Sequence, residues 1–157
     1  MADTWDVIRI DDESHIDELV EINMDAFTHP WTRAMFLEEL SQPERSFLLA
    51  ALSGSRHVVG YCSVWRVLDN LQVNSIAVTE RYRGRGVGLT LLKAVVSLAR
   101  NSGVVSISLE VRSSNIAARA LYRRLAFKET GQRVLYYSQP IEDAVILSRR
   151  LESPRAV

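Results

Sequence analysis

The chain predicts an α/β fold made as one domain, and three observations carry that prediction. Short runs with strand periodicity alternate with runs of helical periodicity along all 157 residues, and no linker rich in proline, glycine or serine interrupts them. Three strand-like runs follow one another directly, SFLLAAL (46–52), HVVGYCSVWRVL (57–68) and LQVNSIAV (71–78), the first two joined by the turn SGSR as an antiparallel hairpin. With 47% hydrophobic residues, the length suffices for one good core and requires no second domain, so residues 1–157 are read as a unit.

Each element has its own signal. WDVIRI (5–10) reads as the first strand. In SHIDELVEINMDAF, Ile16, Leu19, Val20, Ile22 and Phe27 recur near helical spacing, and Ser14 stands ahead of them as the expected cap. Thr32 can cap a short second helix that Pro43 stops. The run LTLLKAVVSLAR (89–100) places Leu91, Leu92, Val95 and Ala99 on one helix face, and Gly103 supplies the C-cap signal. VVSISLEV (104–111) alternates as a strand, with Val105, Ile107, Leu109 and Val111 on one side and Ser106, Ser108 and Glu110 on the other. SSNIAARALYRRLAF reads as a capped helix with an apolar stripe through Ile116, Ala117, Ala120, Leu121 and Leu125, and Tyr122 at its border. KETGQRVLYYSQPIEDAVILSRRL closes the fold as a pair of strands, Glu142-Asp143 belonging to a turn, and ESPRAV reads as a frayed tail.

Composition excludes several function classes. The 19 basic and 19 acidic residues cancel, so no global field attracts nucleic acid, and an anionic ligand has to be met by a local patch. Cys62 is the single cysteine, which excludes an internal disulfide and any CxxC zinc site and fits a reducing cytosol. His15, His29 and His57 have no ligand spacing, so no metal is expected. The start lacks the basic-then-apolar pattern of a signal peptide, and no run approaches the ~18 apolar residues of a membrane span, so a cytoplasmic protein without membrane contact is expected.

The local patch is RYRGRGVG, residues 81–88, with three arginines and three glycines between a strand and a helix. A helix N-terminus presents unpaired N–H groups and the positive end of its dipole, and glycines allow an anion to approach the backbone. The Walker pattern fails for want of Gly-Lys-Ser/Thr, and a GxGxxG reading from Gly84 meets Leu89 where glycine is required. On these residues alone a phosphate cradle and a solvated basic turn both stay open.

Arg83-x-x-Gly86-x-Gly88 resembles the Arg/Gln-x-x-Gly-x-Gly/Ala loop that holds the pyrophosphate of acetyl-coenzyme A in the GNAT acetyltransferases. SIAV before it, LEVRSSNIAARALYRRLAF after it, HPWT early and YYSQPIEDAVIL late are similar to the RimI-type protein N-terminal acetyltransferases, over Val7 to Leu151. The resemblance implies a GNAT fold, a mostly antiparallel central sheet splayed near its middle with helices on both faces. It implies acetyl-coenzyme A as cosubstrate and a protein N-terminus as acceptor, that of an alanine-first ribosomal small-subunit protein.

The resemblance also assigns residues. Glu110, in LEVR, takes the proton from the attacking amine, and Tyr122 protonates the departing thiolate. Backbone groups of Ile76, Ala77 and Val78 meet the thioester, and Arg83, Gly84, Arg85, Gly86, Val87 and Gly88 meet the pyrophosphate, with Asn115 also against the cofactor. Trp31, Tyr136 and Tyr137 correspond to walls of the peptide groove. Read without the resemblance, Tyr122 is an amphipathic tyrosine at a helix edge and Trp31 a core aromatic. Acetylation of a small amine or a lysine, and an acyl-coenzyme A sensor without turnover, remain as other readings. Three departures touch the pattern: Ala126 in place of glycine, which suggests a different helix exit, Asn70 where glutamate is common, and a short loop between Tyr137 and Glu142.

Overall fold

The computed structural model describes residues 3–152, so the expectation of a frayed ESPRAV tail lies, from residue 153 onward, outside the described residues. The elements are β1 (Asp6–Ile10), α1 (Ile16–Ala26), α2 (Arg33–Leu40), β2 (Ser46–Leu52), β3 (Val58–Val67), β4 (Asn70–Val78), α3 (Val87–Ser102), β5 (Ser106–Arg112), α4 (Ile116–Arg124), β6 (Lys128–Tyr137) and β7 (Glu142–Arg150). Short 3-10 turns at Glu13–His15 and Glu80–Tyr82 precede α1 and follow β4. The seven strands form a mixed sheet. Two compact units divide the chain, one running to Trp65 with Asn74–Val95, the other Arg66–Val73 with the residues from Val96 onward, so β4 and α3 each contribute to both.

In the first unit β1, β2 and β3 pair antiparallel in that order. Their core joins Ile16, Leu19 and Ile22 of α1, Phe36 of α2, Leu48, Ala50 and Leu52 of β2, and Tyr61 of β3. The i, i+3 and i+6 spacing of the α1 residues is what turns one helix face inward. Gly60 on β3 has a packing reason: a Cβ there would stand 2.8 Å from Val87 Cγ1 and 3.1 Å from the Ala77 carbonyl oxygen. Its bare backbone lets the first turn of α3 lie against β3.

In the second unit the order is β4-β5-β7-β6. β4 and β5 are parallel, paired from Asn70↔Ser106 to Val73↔Leu109. Asn70 fastens the start of this ladder: its Nδ2 donates to Ser108 Oγ at 2.9 Å, and its Oδ1 accepts from Ser106 Oγ at 2.9 Å. The departure at Asn70 thus has a cross-strand role. β7 pairs antiparallel with both β5 and β6, with register shifts in β6 between Glu129 and Gly131 and between Arg133 and Tyr137.

Several local expectations are met and some are corrected. Thr32 Oγ1 accepts from Met35 N–H, capping α2, and Gly103 takes φ 71 after α3. Ser14 is not the cap: Asp12 Oδ1 accepts from its N–H at 2.9 Å and from its hydroxyl at 2.5 Å, capping the 3-10 turn Glu13–His15, and α1 continues from that turn at His15 with no side-chain cap of its own. Val105 lies outside β5 and is 40% exposed, its N–H donating to Asp69 O and its carbonyl accepting from Leu151 N–H. Glu142 and Asp143 open β7 rather than a turn.

Ala126 keeps the helix exit left-handed at φ 64, the conformation glycine favours, with its N–H donating to Arg123 O at 3.0 Å. A Cβ in that region is strained. Ala126→Gly is expected to raise stability by about 0.5–1 kcal/mol in chemical denaturation. An unchanged or lowered midpoint would contradict the strain.

Candidate active site

The glycine-rich loop follows β4 through the turn at Glu80–Tyr82 and opens α3. Gly84 and Gly86 take φ 74 and 85, which L side chains rarely adopt, and a Cβ at either would meet nothing within 4 Å. The backbone face at both is therefore open rather than packed, which fits a ligand approaching the main chain. Gly86 O accepts from Thr90 N–H at 3.0 Å and from Thr90 Oγ1 at 2.9 Å, so the intrahelical ladder of α3 starts at Gly86 and the amides of the first turn have no intrahelical acceptor. Arg83 folds back so that Nε donates to Val78 O at 3.0 Å, joining the loop to the end of β4. Ile76 and Val78 are half-buried there and Ala77 is buried.

Arg85 is held by the segment that precedes β1. Its Nε donates to Asp3 at 2.9 Å, its guanidinium lies over the rings of Tyr82 at 4.8 Å and Trp5 at 5.3 Å, and Trp5 Nε1 donates to its carbonyl. The hydrogen bond from Arg85 lowers the pKa of Asp3.

On β5 the alternation places Glu110 off the apolar side, as the sequence predicts, with its side chain 17% exposed. Arg133 of β6 forms an ion pair with Glu110, its Nε 3.0 Å from Oε1. Tyr136 hydrogen-bonds the same carboxylate, and its pKa is raised by burial, then by the Glu110 charge and that hydrogen bond. Tyr137 packs edge-on to Tyr136 with centroids 5.1 Å apart, and burial, then the Glu110 charge, pushes its phenol up to about 12. The structure thus brings Glu110, Tyr136 and Tyr137 together. The sequence reading missed Arg133, whose only signal is its distance of a few residues from the tyrosine pair.

It also missed how the turn after β5 is fixed. Glu142 accepts from Ser114 N–H at 2.5 Å and from Ser113 Oγ at 3.2 Å, and those Ser114 bonds lead the lowering of its pKa. Arg112 spans the β6–β7 connection, donating to Pro140 O at 2.9 Å and Ser138 O at 3.2 Å, with Tyr137 under its guanidinium at 4.5 Å. Asn115 caps α4 through Oδ1, which accepts from Ala118 N–H at 3.1 Å. The α4 stripe is rotated from its expected position: Ile116 is 68% exposed, whereas Tyr122 is buried at 5% and packs on Phe127 with centroids 5.9 Å apart. Tyr122 therefore lies inside the packed face, not at its border.

Trp31 is half-buried against Phe36, with centroids 5.3 Å apart, while His29 and Pro30 are exposed. Cys62 is fully buried and burial pushes its thiol up to about 12, which keeps it an unreactive thiol. Among the described residues no group of three or more His, Cys, Asp or Glu could hold a metal ion, and no helix is long and apolar enough to cross a membrane.

Tyr61, on β3, is likewise pushed up to about 12 by burial. For both Tyr61 and Tyr137 folding favours the protonated phenol, so their contribution is complete below the ordinary tyrosine pKa near ~10 and is lost as pH climbs towards about 12. An alkaline absorbance titration of the native protein should show a late phenolate step, diminished in Tyr137→Phe and absent after denaturation. One early step matching the unfolded chain would contradict both assignments.

Residues 16–127 match the model of the acetyltransferase (GNAT) family. The chain is 37% identical over 129 residues to the N-alpha-acetyltransferase RimI of Mycobacterium tuberculosis, covering 80% of this chain and 78% of that one. It is 35% identical over 130 residues to the [ribosomal protein bS18]-alanine N-acetyltransferase of Salmonella typhimurium, covering 82% and 86%. The crystal structure of the ribosomal-protein-S18-alanine N-acetyltransferase from Escherichia coli superposes with a TM-score of 0.85 at 26% identity, covering 98% of this chain and 99% of that one. With the mixed seven-stranded sheet, the glycine loop that opens α3 and a family match across most of its length, this chain belongs to the GNAT acetyltransferase family.

Proposed function

We propose that the protein transfers the acetyl group of acetyl-coenzyme A to the α-amine of a protein N-terminus, that of an alanine-first ribosomal small-subunit protein, in the cytoplasm. The observation that carries the reading is the open, left-handed backbone at Gly84 and Gly86 where α3 begins. An anionic diphosphate there would accept hydrogen bonds from first-turn amides that have no intrahelical acceptor and would face the positive end of the helix dipole. Arg83, Arg85, Val87 and Gly88 complete the loop, and Asn115 is assigned to the same cofactor.

Acetyl-coenzyme A supplies an activated thioester; the chain supplies alignment, proton transfer and charge stabilisation. An α-amine with a reference pKa of ~7.7–8.0 is largely protonated at neutral pH and must lose a proton before it attacks. Glu110 takes that proton. Because Arg133 and Tyr136 already share this carboxylate, the incoming ammonium competes with them for it. Backbone N–H groups of Ile76, Ala77 and Val78 are assigned to the oxygen that gains charge as the amine adds. Tyr122 returns a proton to the leaving sulfur, for which a neutral phenol is the suitable form at pH 7. Trp31, Tyr136 and Tyr137 line the path of the peptide.

Purified protein assayed with acetyl-coenzyme A over a panel of peptides and small amines should favour an Ala-first peptide; no advantage over lysine or free amines would overturn the substrate assignment. Glu110→Gln is expected to lower kcat by roughly 10²–10⁴-fold with coenzyme A affinity retained. Rates equal to the parent's would remove Glu110 from proton transfer, and the same standard applies to Tyr122→Phe. Gly86→Asp puts a charged side chain into a left-handed backbone site, so calorimetry should record a loss of coenzyme A affinity of at least about tenfold; unchanged affinity would count against the loop.

A further inference from the structure

The first unit buries a polar chain that the proposed chemistry leaves unused. Asn23 on α1 is fully buried, as is Tyr61 on β3, and Ser75 on β4 is 9% exposed. Asn23 Nδ2 donates to the Tyr61 hydroxyl, and Tyr61 Oη lies 2.6 Å from Ser75 Oγ. Asn23 Oδ1 accepts from the backbone N–H of Trp31 at 2.6 Å. The Tyr61 oxygen accepts from the asparagine, either hydroxyl can donate between Tyr61 and Ser75, and the chain of hydrogen bonds runs unbroken from the Trp31 N–H to β4.

A second, apolar route joins the same ends. The Trp31 indole packs on Phe36 with centroids 5.3 Å apart, and Phe36 packs edge-on to Tyr61 at 5.6 Å. Both the backbone and the ring of Trp31 are therefore referenced to Tyr61. The backbone carbonyl of Asn23 accepts from Phe27 N–H at 3.1 Å, the last helical bond of α1, so the segment between α1 and α2 is held by one residue at both its departure and its tryptophan. Stability alone does not call for this arrangement, because apolar residues of similar volume commonly replace a buried polar network at little cost. What such residues could not do is fix the N–H of Trp31 in one place.

We infer that Asn23 and Tyr61 are positioning residues that set Trp31 against β4, the strand whose next residues, Ile76 to Val78, are assigned to the acetyl group. The inference rests on Trp31 as a wall of the peptide path. Through it, Asn23 and Tyr61 govern how well the acceptor peptide is held without touching peptide or cofactor.

The test is a coupled set of variants read by steady-state kinetics on an Ala-first peptide and by calorimetry with acetyl-coenzyme A. Asn23→Leu, and more mildly Tyr61→Phe, should raise the peptide KM, by roughly 5–20-fold for Asn23→Leu, as expected for the loss of one buried hydrogen-bonded anchor. The acetyl-coenzyme A dissociation constant should stay within about twofold of the parent's. Trp31→Ala should raise the peptide KM, and adding Asn23→Leu to it should raise it no further, because the two act through one contact. A KM increase that multiplies on top of Trp31→Ala, or an equal loss of acetyl-coenzyme A affinity, would reduce the network to general structural support and overturn the inference. Should Asn23→Leu fail to fold, Tyr61→Phe, which removes a single oxygen, decides in its place. If Trp31→Ala leaves the peptide KM unchanged, the peptide-wall reading fails first; if it weakens the peptide while the Asn23 and Tyr61 variants are silent, only the positioning role falls.

Discussion

The amides that open α3 are the constraint on which the rest of the arrangement depends. A helix of 16 residues leaves its first N–H groups without intrahelical acceptors, and a side chain added at Gly84 or Gly86 ahead of this one would meet nothing within 4 Å. Gly84 and Gly86 make the turn at positive φ, and Gly60 gives up its side chain so that Val87 can lie close to β3. In a chain with no net charge, the loop sets a helix end beside three arginines, at 81, 83 and 85. Arg83 is turned back to Val78, and Arg85 is held by Asp3 and two aromatic rings.

The second unit meets a different demand, a carboxylate kept off the apolar side of a strand and supplied with partners. Strand alternation alone delivers Glu110, and antiparallel pairing through β7 brings β6 to it. Arg133 balances its charge, while that charge in turn raises the pKa of both Tyr136 and Tyr137. Glu142 and Arg112 fix the two connections nearby, one by binding the amide and hydroxyl ahead of α4, the other by gathering carbonyls of the β6–β7 connection. These are hydrogen bonds to charged groups, each worth more than a neutral bond of the same length.

What was legible in the residues was local. The glycines at 84, 86 and 103, the cap at Thr32 and the period-two pattern of β5 announce themselves within a few positions, because each answers a backbone requirement of its own neighbourhood. Where two residues could serve one purpose, the reading erred: Asp12 and Ser14 are both able to cap, and only the geometry says which one accepts. The stripe of α4 was misplaced because alanines on a short helix do not say which flank is covered, whereas Phe127 beyond the helix end decides it for Tyr122. Partnerships across the sequence were illegible for a stronger reason. Arg133 reaches Glu110 only through a strand with register shifts on both sides of it, and Asn23, Tyr61 and Ser75 come from one helix and two strands. No periodicity encodes such meetings.

The most direct measurement of the central claim is a crystal structure of the protein with coenzyme A bound. The account predicts the diphosphate oxygens accepting hydrogen bonds from main-chain N–H groups within residues 84–88, at the start of α3. A diphosphate lodged elsewhere, with those amides facing only solvent, would contradict it.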